Sequence, residues 1–221
     1  KTMASGHTGV RPKVVTAYAD LLNSGLVPVV GEYGSLGCSG DLAPLAHCAL
    51  VLTGEGTVLT PDGDEVDAAT GLAQAGLKPV SLREKEGLAL INGTDGMLSQ
   101  LIMALADLDV LVPTADLATA MTVQALCGID RVFAPDLQAL RPHPGQATSA
   151  ANILALLEGS DLIQAGREGA AKRVQDAYSL RCAPQVHGAV RDTMAHALQV
   201  AKVELASAVD NPVITDDMRV E

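Results

Sequence analysis

The sequence predicts a mainly α-helical fold, a bundle of helices carrying one small surface hairpin. Three observations predict it. Hydrophobic residues make up 48% of the chain, yet it holds one Phe, three Tyr and no Trp, so Ala and Leu dominate and favour packed helices over sheets. Leu98, Leu101, Ile102, Leu105 and Leu108 recur along one face of a helix. Val186, Val190, Met194, Leu198, Ala201 and Leu205 repeat that pattern over 184–207, a span long enough for one uninterrupted helix. Helices of such lengths imply a bundle, and 221 residues can bury a substantial core.

Each element has its own local reason. Residues 1–12 are polar and Gly-rich, and Pro12 suits the first position of a helix over 13–23, where Val14, Val15, Tyr18, Leu21 and Leu22 fall at helical spacing. Residues 24–40 are Gly-rich and irregular. Asp41 opens a helix over 42–53, its carboxylate suited to a helix N-terminus. Segments 57–59 and 65–66 flank Pro61-Asp62-Gly63-Asp64 and read as the surface hairpin. A small helix follows over 67–75, and another over 84–91 leads into Asn92-Gly93-Thr94. Pro113 is expected to divide two long helices, 95–112 and 114–127. A turn and short helix near 136–140, a helix over 146–157 and a polar, loop-like stretch over 158–174 with Lys172 and Arg173 exposed come next. After the long helix, Val213-Ile214-Thr215 begins a strand and Asp216-Asp217 a turn.

Composition excludes several classes of function. A net charge of -11 argues against a nucleic-acid surface, which needs clustered Lys and Arg, and reads as solubility. Cys38, Cys48, Cys127 and Cys182 are widely spaced with no C-x-x-C or Cys/His cluster, so no metal site is expected. Three of them sit among apolar or small residues and read as buried free thiols, which suits a cytoplasmic location. No signal peptide is visible. The most apolar stretch, 97–126, is interrupted by Asp107, Asp109, Pro113 and Asp116, so no membrane span is expected. The chain starts at Lys1 without Met and ends at Glu221 inside what reads as a hairpin, so both ends read as cuts.

The chemistry concentrates in Gly34-Ser35-Leu36-Gly37-Cys38-Ser39-Gly40-Asp41-Leu42-Ala43-Pro44-Leu45. Gly40 lacks a side chain, so its amide nitrogen can approach the carbonyl carbon of Cys38 in a tight turn. Attack there closes a five-membered ring with loss of water. Ser39 then loses its hydroxyl by β-elimination, leaving an exocyclic methylene. The product is 4-methylidene-imidazol-5-one, an electrophile that no ordinary side chain supplies. Read alone, X-Ser-Gly is turn chemistry.

The surroundings decide otherwise. Residues 34–47 closely resemble the prosthetic-group segment of the aromatic amino acid ammonia-lyases, with Cys38 where the usual tripeptide has alanine. Glu86-Gly87-Leu88-Ala89-Leu90-Ile91-Asn92-Gly93-Thr94 resembles the family's asparagine segment. Arg141-Pro142-His143-Pro144-Gly145-Gln146 is similar to a segment of its histidine branch. Residues 175–185 resemble the substrate segment, and Ser207-Ala208-Val209-Asp210-Asn211-Pro212 matches a further motif. These five segments stand in the family's order over almost the whole chain.

The resemblance implies a helical bundle of the ammonia-lyase and fumarase-like type, assembled as a homotetramer. It implies that residues 1–221 are the central portion of a single catalytic domain about twice as long. It also implies deamination of L-histidine to trans-urocanate and ammonia, through the imidazolone formed from Cys38, Ser39 and Gly40 and without metal or redox cofactor. Asp41 either only caps a helix or also shuttles protons during the dehydrations. Asn92 stands where Asn commonly caps a helix, and by resemblance it bonds the imidazolone oxygen or the substrate amine. Tyr178 and Arg181 share a face if their segment is helical. A guanidinium clamps a carboxylate through matched donors, and a tyrosine exchanges a proton nearby. Gln175 orients substrate or water by the same resemblance, and Asn211, which reads first as a turn, lies near the carboxylate.

His47, His143 and His187 read as structural, and Lys85-Glu86 as a solvated helix start rather than a proton relay. By the same resemblance the family's tyrosine base, in an N-terminal loop, is expected to precede Lys1, and the imidazole-recognising side chains, a histidine upstream and a glutamate downstream, are expected to lie outside these 221 residues. A phenylalanine or tyrosine lyase, an aminomutase, or an inactive structural fragment without the ring therefore stays open.

Overall fold

The computed structural model describes residues 2–38, 41–168 and 173–221. Ser39, Gly40 and Lys172 thus lie outside the described residues. The chain divides into two units, Lys1–Leu101 with Ala201–Glu221, and Ile102–Val200.

The first unit begins with α1, Pro12–Asn23, whose opening proline fits the helix start. The helix α2, Leu42–Thr53, ends at Gly54 with φ +84°, a left-handed position that glycine adopts without strain. Strands β1 (Val27–Pro28), β2 (Thr57–Leu59) and β3 (Glu65–Asp67) form one antiparallel sheet in that order, with Val58 opposite both Pro28 and Val66. The expected two-stranded hairpin is therefore three-stranded. Two residues are too few to show a period of two, and β1 is defined by a partner about thirty residues away. Asp67 caps α3, Ala68–Gln74, by accepting from the Thr70 amide at 2.9 Å. A side chain at Gly71 would meet Val58 at 2.5 Å, so α3 lies directly on the sheet. The helix α4, Glu86–Ile91, packs against α2. Val14, Leu21, Val51, Leu52, Val58, Leu72 and Leu90 form the core of this unit. The strand expected at 213–215 is a single bridge, Ile214 to Val220.

The helix α5, Asp95–Ala125, runs unbroken through Pro113, correcting the expected division into two. Proline removes one backbone donor and crowds the preceding turn, at about 3 kcal/mol. Here the carbonyl it frees belongs to exposed Asp109, within reach of water. Thr114 adds a hydroxyl bond to the Val110 carbonyl at 2.7 Å, and buried Val112 and Asp116 anchor the helix on either side.

The second unit continues with α6 (Pro135–Ala139), α7 (Pro144–Leu157), α8 (Asp161–Glu168), α9 (Tyr178–Arg181) and α10 (Ala183–Ala206). The α8 helix corrects the expected loop over 158–174. Its sequence is polar because one apolar side chain, Ile163, is all it buries. Ala120, Val123, Phe133, Ala150, Ile153, Leu157, Ile163 and Leu180 make the core. Helices α7 and α10 touch at Gly145 and Gly188, where a Cβ on either would collide with the other's backbone. Among the described residues no helix is long and apolar enough to cross a membrane. All four cysteines are free, but Cys48, Cys127 and Cys182 are half-buried rather than buried, and Cys38 is exposed.

Candidate active site

Residues 31–38, which lead into the tripeptide, are exposed throughout. The Asp41 amide donates to the Cys38 carbonyl at 3.1 Å. Such a bond draws electrons from the carbonyl carbon that cyclisation attacks. The Asp41 carboxylate does not cap α2, contrary to expectation. It turns back instead, and its Oδ2 accepts from the Ser35 hydroxyl and from the Gly37 amide at 3.2 Å. The Ser35 bond pulls the Asp41 pKa below the ordinary carboxylate value, burial opposes it, and the amides of Leu36 and Gly37 add to the lowering. Its Oδ1 is buried with no hydrogen-bond partner among the described residues. The lowered pKa favours the ionised carboxylate. His47 steadies the start of this loop by accepting from the Gly31 amide at 3.2 Å.

Asn92 ends α4 in extended rather than left-handed conformation, and its side-chain amide donates to the Asn211 carbonyl at 2.6 Å. The structure therefore brings together two candidates 119 residues apart. Gly93 allows the approach, since a Cβ there would press on Asp95 and on the Val209 carbonyl at 3.4 Å.

Lys85 and Glu86 are not a solvated helix start. Glu86 is 1% exposed. Its oxygens receive Arg11 Nε and Nη2, each at 2.7 Å, and the backbone amides of Arg11 and Arg83. The Arg11 bond holds its pKa at about 2, against the opposing effect of burial. Lys85 pairs with Asp210 and donates to the Thr8 carbonyl at 2.9 Å. No local pattern marks the ion pairs, because Arg11 lies 75 residues from Glu86 and Asp210 lies 125 from Lys85.

In the second unit, Tyr178 and Arg181 do share a face of α9. The guanidinium lies 4.1 Å from the centre of the tyrosine ring, a cation–π contact. Arg181 Nε is buried and has no hydrogen-bond partner among the described residues. The Tyr178 side chain and Gln175 are exposed. Between them Asp176 is buried and accepts from the Ile129 amide at 2.6 Å, pinning this segment to the turn that follows α5. Asp176 escaped sequence reading because nothing local distinguishes a buried Asp from an exposed one. His187 is satisfied by Asp116 at 2.8 Å, as a structural histidine should be. A cavity of about 780 Å³ lined by Leu154, Leu157, Ile163 and Arg167 contains none of the candidates.

The profile described as aromatic amino acid lyase matches residues 1–221. The chain belongs to the aromatic amino acid lyase family. Over 221 residues it is 64% identical to a histidine ammonia-lyase of Streptomyces avermitilis and spans 43% of that relative's length. A tyrosine aminomutase from Streptomyces globisporus matches 99% of this chain with a TM-score of 0.85 at 42% identity, 44% of its own length being covered. The phenylalanine aminomutase of Pantoea agglomerans matches all of it with a TM-score of 0.90 at 32% identity and 45% coverage of its own length. The mainly α fold read from the sequence is the fold of these lyase-family relatives. Among the described residues, no group of His, Cys, Asp and Glu could hold a metal ion.

Proposed function

We propose that residues 1–221 are the central portion of one catalytic domain of a histidine ammonia-lyase, which removes ammonia from L-histidine to give trans-urocanate. The 64% identity over the whole chain to a histidine ammonia-lyase carries the choice of substrate, set against 42% and 32% to the two aminomutases. The residues present fit an imidazolone built from Cys38, Ser39 and Gly40. Asp41 bonds the Cys38 carbonyl through its amide and keeps a buried carboxylate oxygen free. Once formed, that group supplies an electrophilic methylene.

The chain's own side chains do the rest. Arg181 binds the substrate carboxylate, which satisfies its open Nε and fixes the β-carbon in place. Tyr178 exchanges a proton with the substrate, its ring held beside the Arg181 guanidinium. Asn92 and Asn211 form a polar pair that orients the amine or carboxylate, and Gln175 orients substrate or water. The whole protein is cytoplasmic, as its free thiols support. It is a homotetramer, and the exposed Met103, Val110, Leu111 and Met121 of α5 support burial in such an assembly.

The test is an ultraviolet assay for urocanate with the full-length protein, alongside peptide mass analysis. The peptide carrying Cys38-Ser39-Gly40 should be lighter by two waters. Ser39→Ala removes the leaving hydroxyl, so it should lose nearly all turnover and keep its fold. Near-normal turnover by that variant ends the imidazolone reading, and turnover of L-tyrosine or L-phenylalanine in place of L-histidine replaces the substrate.

A further inference from the structure

We infer that Lys85 is a positioning residue, which holds Asn211 against Asn92 through a buried ion pair with Asp210. The inference rests on the reading of Asn92 and Asn211 as substrate-side groups.

Lys85 precedes α4 with φ 69°, a left-handed conformation that a residue with a side chain adopts under strain. Such a conformation persists where the surroundings over-determine it. Three contacts do so here. The ammonium donates to the carbonyl of Thr8, a fully buried residue, at 2.9 Å. It also pairs with Asp210, whose side chain is fully buried. The next residue, Glu86, is itself locked by Arg11 and by the Arg83 amide.

The ion pair leads directly to the asparagines. Asp210 Oδ1 accepts from the Asn211 amide at 2.8 Å, while Oδ2 faces Lys85. The Asn211 carbonyl then accepts from Asn92 at 2.6 Å. Helix α4 is therefore tied to the 210–211 segment at both ends, by Lys85 before its start and Asn92 after its finish. Gly93 packing on Val209 sets the spacing between them. Without the ammonium, Asp210 would be a buried lone carboxylate, and it would leave its place to reach water. Asn211 would move with it, and Asn92 would lose the acceptor that orients its amide.

The test uses Lys85→Met, Lys85→Arg and the double variant Lys85→Met/Asp210→Asn in the full-length protein. The double variant carries no lone buried charge, so it keeps the measurement open if Lys85→Met fails to fold. Hydrogen exchange reads the position of the segment. In Lys85→Met the Asn211 amide should exchange about tenfold faster or more, and Lys85→Arg should restore most of the protection. Kinetics read the consequence. Misplaced asparagines should lower kcat/KM for L-histidine by up to about 10²-fold. In an Asn92→Ala background the same Lys85→Met change should add little, because Lys85 acts through that residue. Unchanged exchange at Asn211 overturns the inference whatever the activity does, and equal losses in both backgrounds overturn it as well. A wild-type protein inactive on L-histidine would refute the substrate reading alone, since exchange at Asn211 would still decide the clamp.

Discussion

Asp116 and Arg181 are both charged side chains of the second unit, and their surroundings differ in one respect. Every oxygen of Asp116 is occupied. Oδ1 meets His187 at 2.8 Å, and Oδ2 accepts from Asn152 at 2.9 Å and Arg191 at 2.7 Å. Arg191 continues to the hydroxyl of buried Ser149 at 2.9 Å. Burial pushes the Asp116 pKa up, but Asn152, His187 and Arg191 together outweigh it and hold the group ionised. Among the described residues Arg181 has no carboxylate partner. It rests on an exposed tyrosine ring, with Nε buried and unbonded. A buried polar atom without a partner costs stability, so it persists where something else repays the loss. The saturated charge joins α5, α7 and α10 and has nothing left to bind with. The unsaturated one is the group that the proposed function assigns to the substrate carboxylate.

Breaking the saturated cluster should give the largest effect. Asp116→Ala leaves the Arg191 charge uncompensated and His187 without its hydrogen-bond partner, and loss of one partner from a buried pair costs about 3–5 kcal/mol. The measurement is the urea midpoint of the full-length protein. An unchanged midpoint would erase the contrast with Arg181. Asp116→Asn, which retains an acceptor for Arg191, should fall in between.

Arg181→Lys should show the reverse pattern, with kinetics changed and the urea midpoint kept. Lys presents a point charge where a planar fork is needed. Losing one charge-assisted pair is worth roughly 1.5–3 kcal/mol, or about 10- to 150-fold in kcat/KM. If the midpoint moved and kcat/KM did not, Arg181 would belong with Asp116 as part of the scaffold.

The same contrast explains what could be read from the chain alone. Helices α1 and α10 were legible because each apolar face repeats within its own segment. Pro113 misled because its local cost is overruled by packing on both sides. Strand β1 was hidden because only its pairing with β2 makes it a strand. Asp41 looked like a cap, and Ser35 outcompeted the helix for its carboxylate. Among the candidate residues, Tyr178 and Arg181 stand three apart, so the expected shared face is the one α9 gives them. Glu86 and Asp210 had no such signal, because a charge at a helix start or in a turn usually faces water. Their burial follows from Arg11 and Lys85, residues far away in sequence that only the fold brings near.

Glu86 extends the comparison to the first unit, and pH tests it with a smaller expected effect. Like Asp116 it is a saturated carboxylate, and its pKa falls from 4.5 to about 2, chiefly through the Arg11 bond. A depressed pKa means that the folded state binds the proton less readily than the unfolded chain. The pair's stabilisation is therefore complete above pH 4.5 and fades as the pH falls towards about 2. Arg11 is 31% exposed, so solvent screens part of the attraction and the effect should be smaller than that of Asp116→Ala. Other carboxylates titrate over the same range, so the useful quantity is a difference. Urea midpoints of the full-length protein and of Glu86→Gln should differ most near neutral pH and converge as acid is added. A difference that stays constant from neutral pH down to pH 2 would mean that Arg11 gains nothing from the ionised carboxylate. Glu86 would then be held by packing and backbone amides, and saturation by charge would describe Asp116 but not the start of α4.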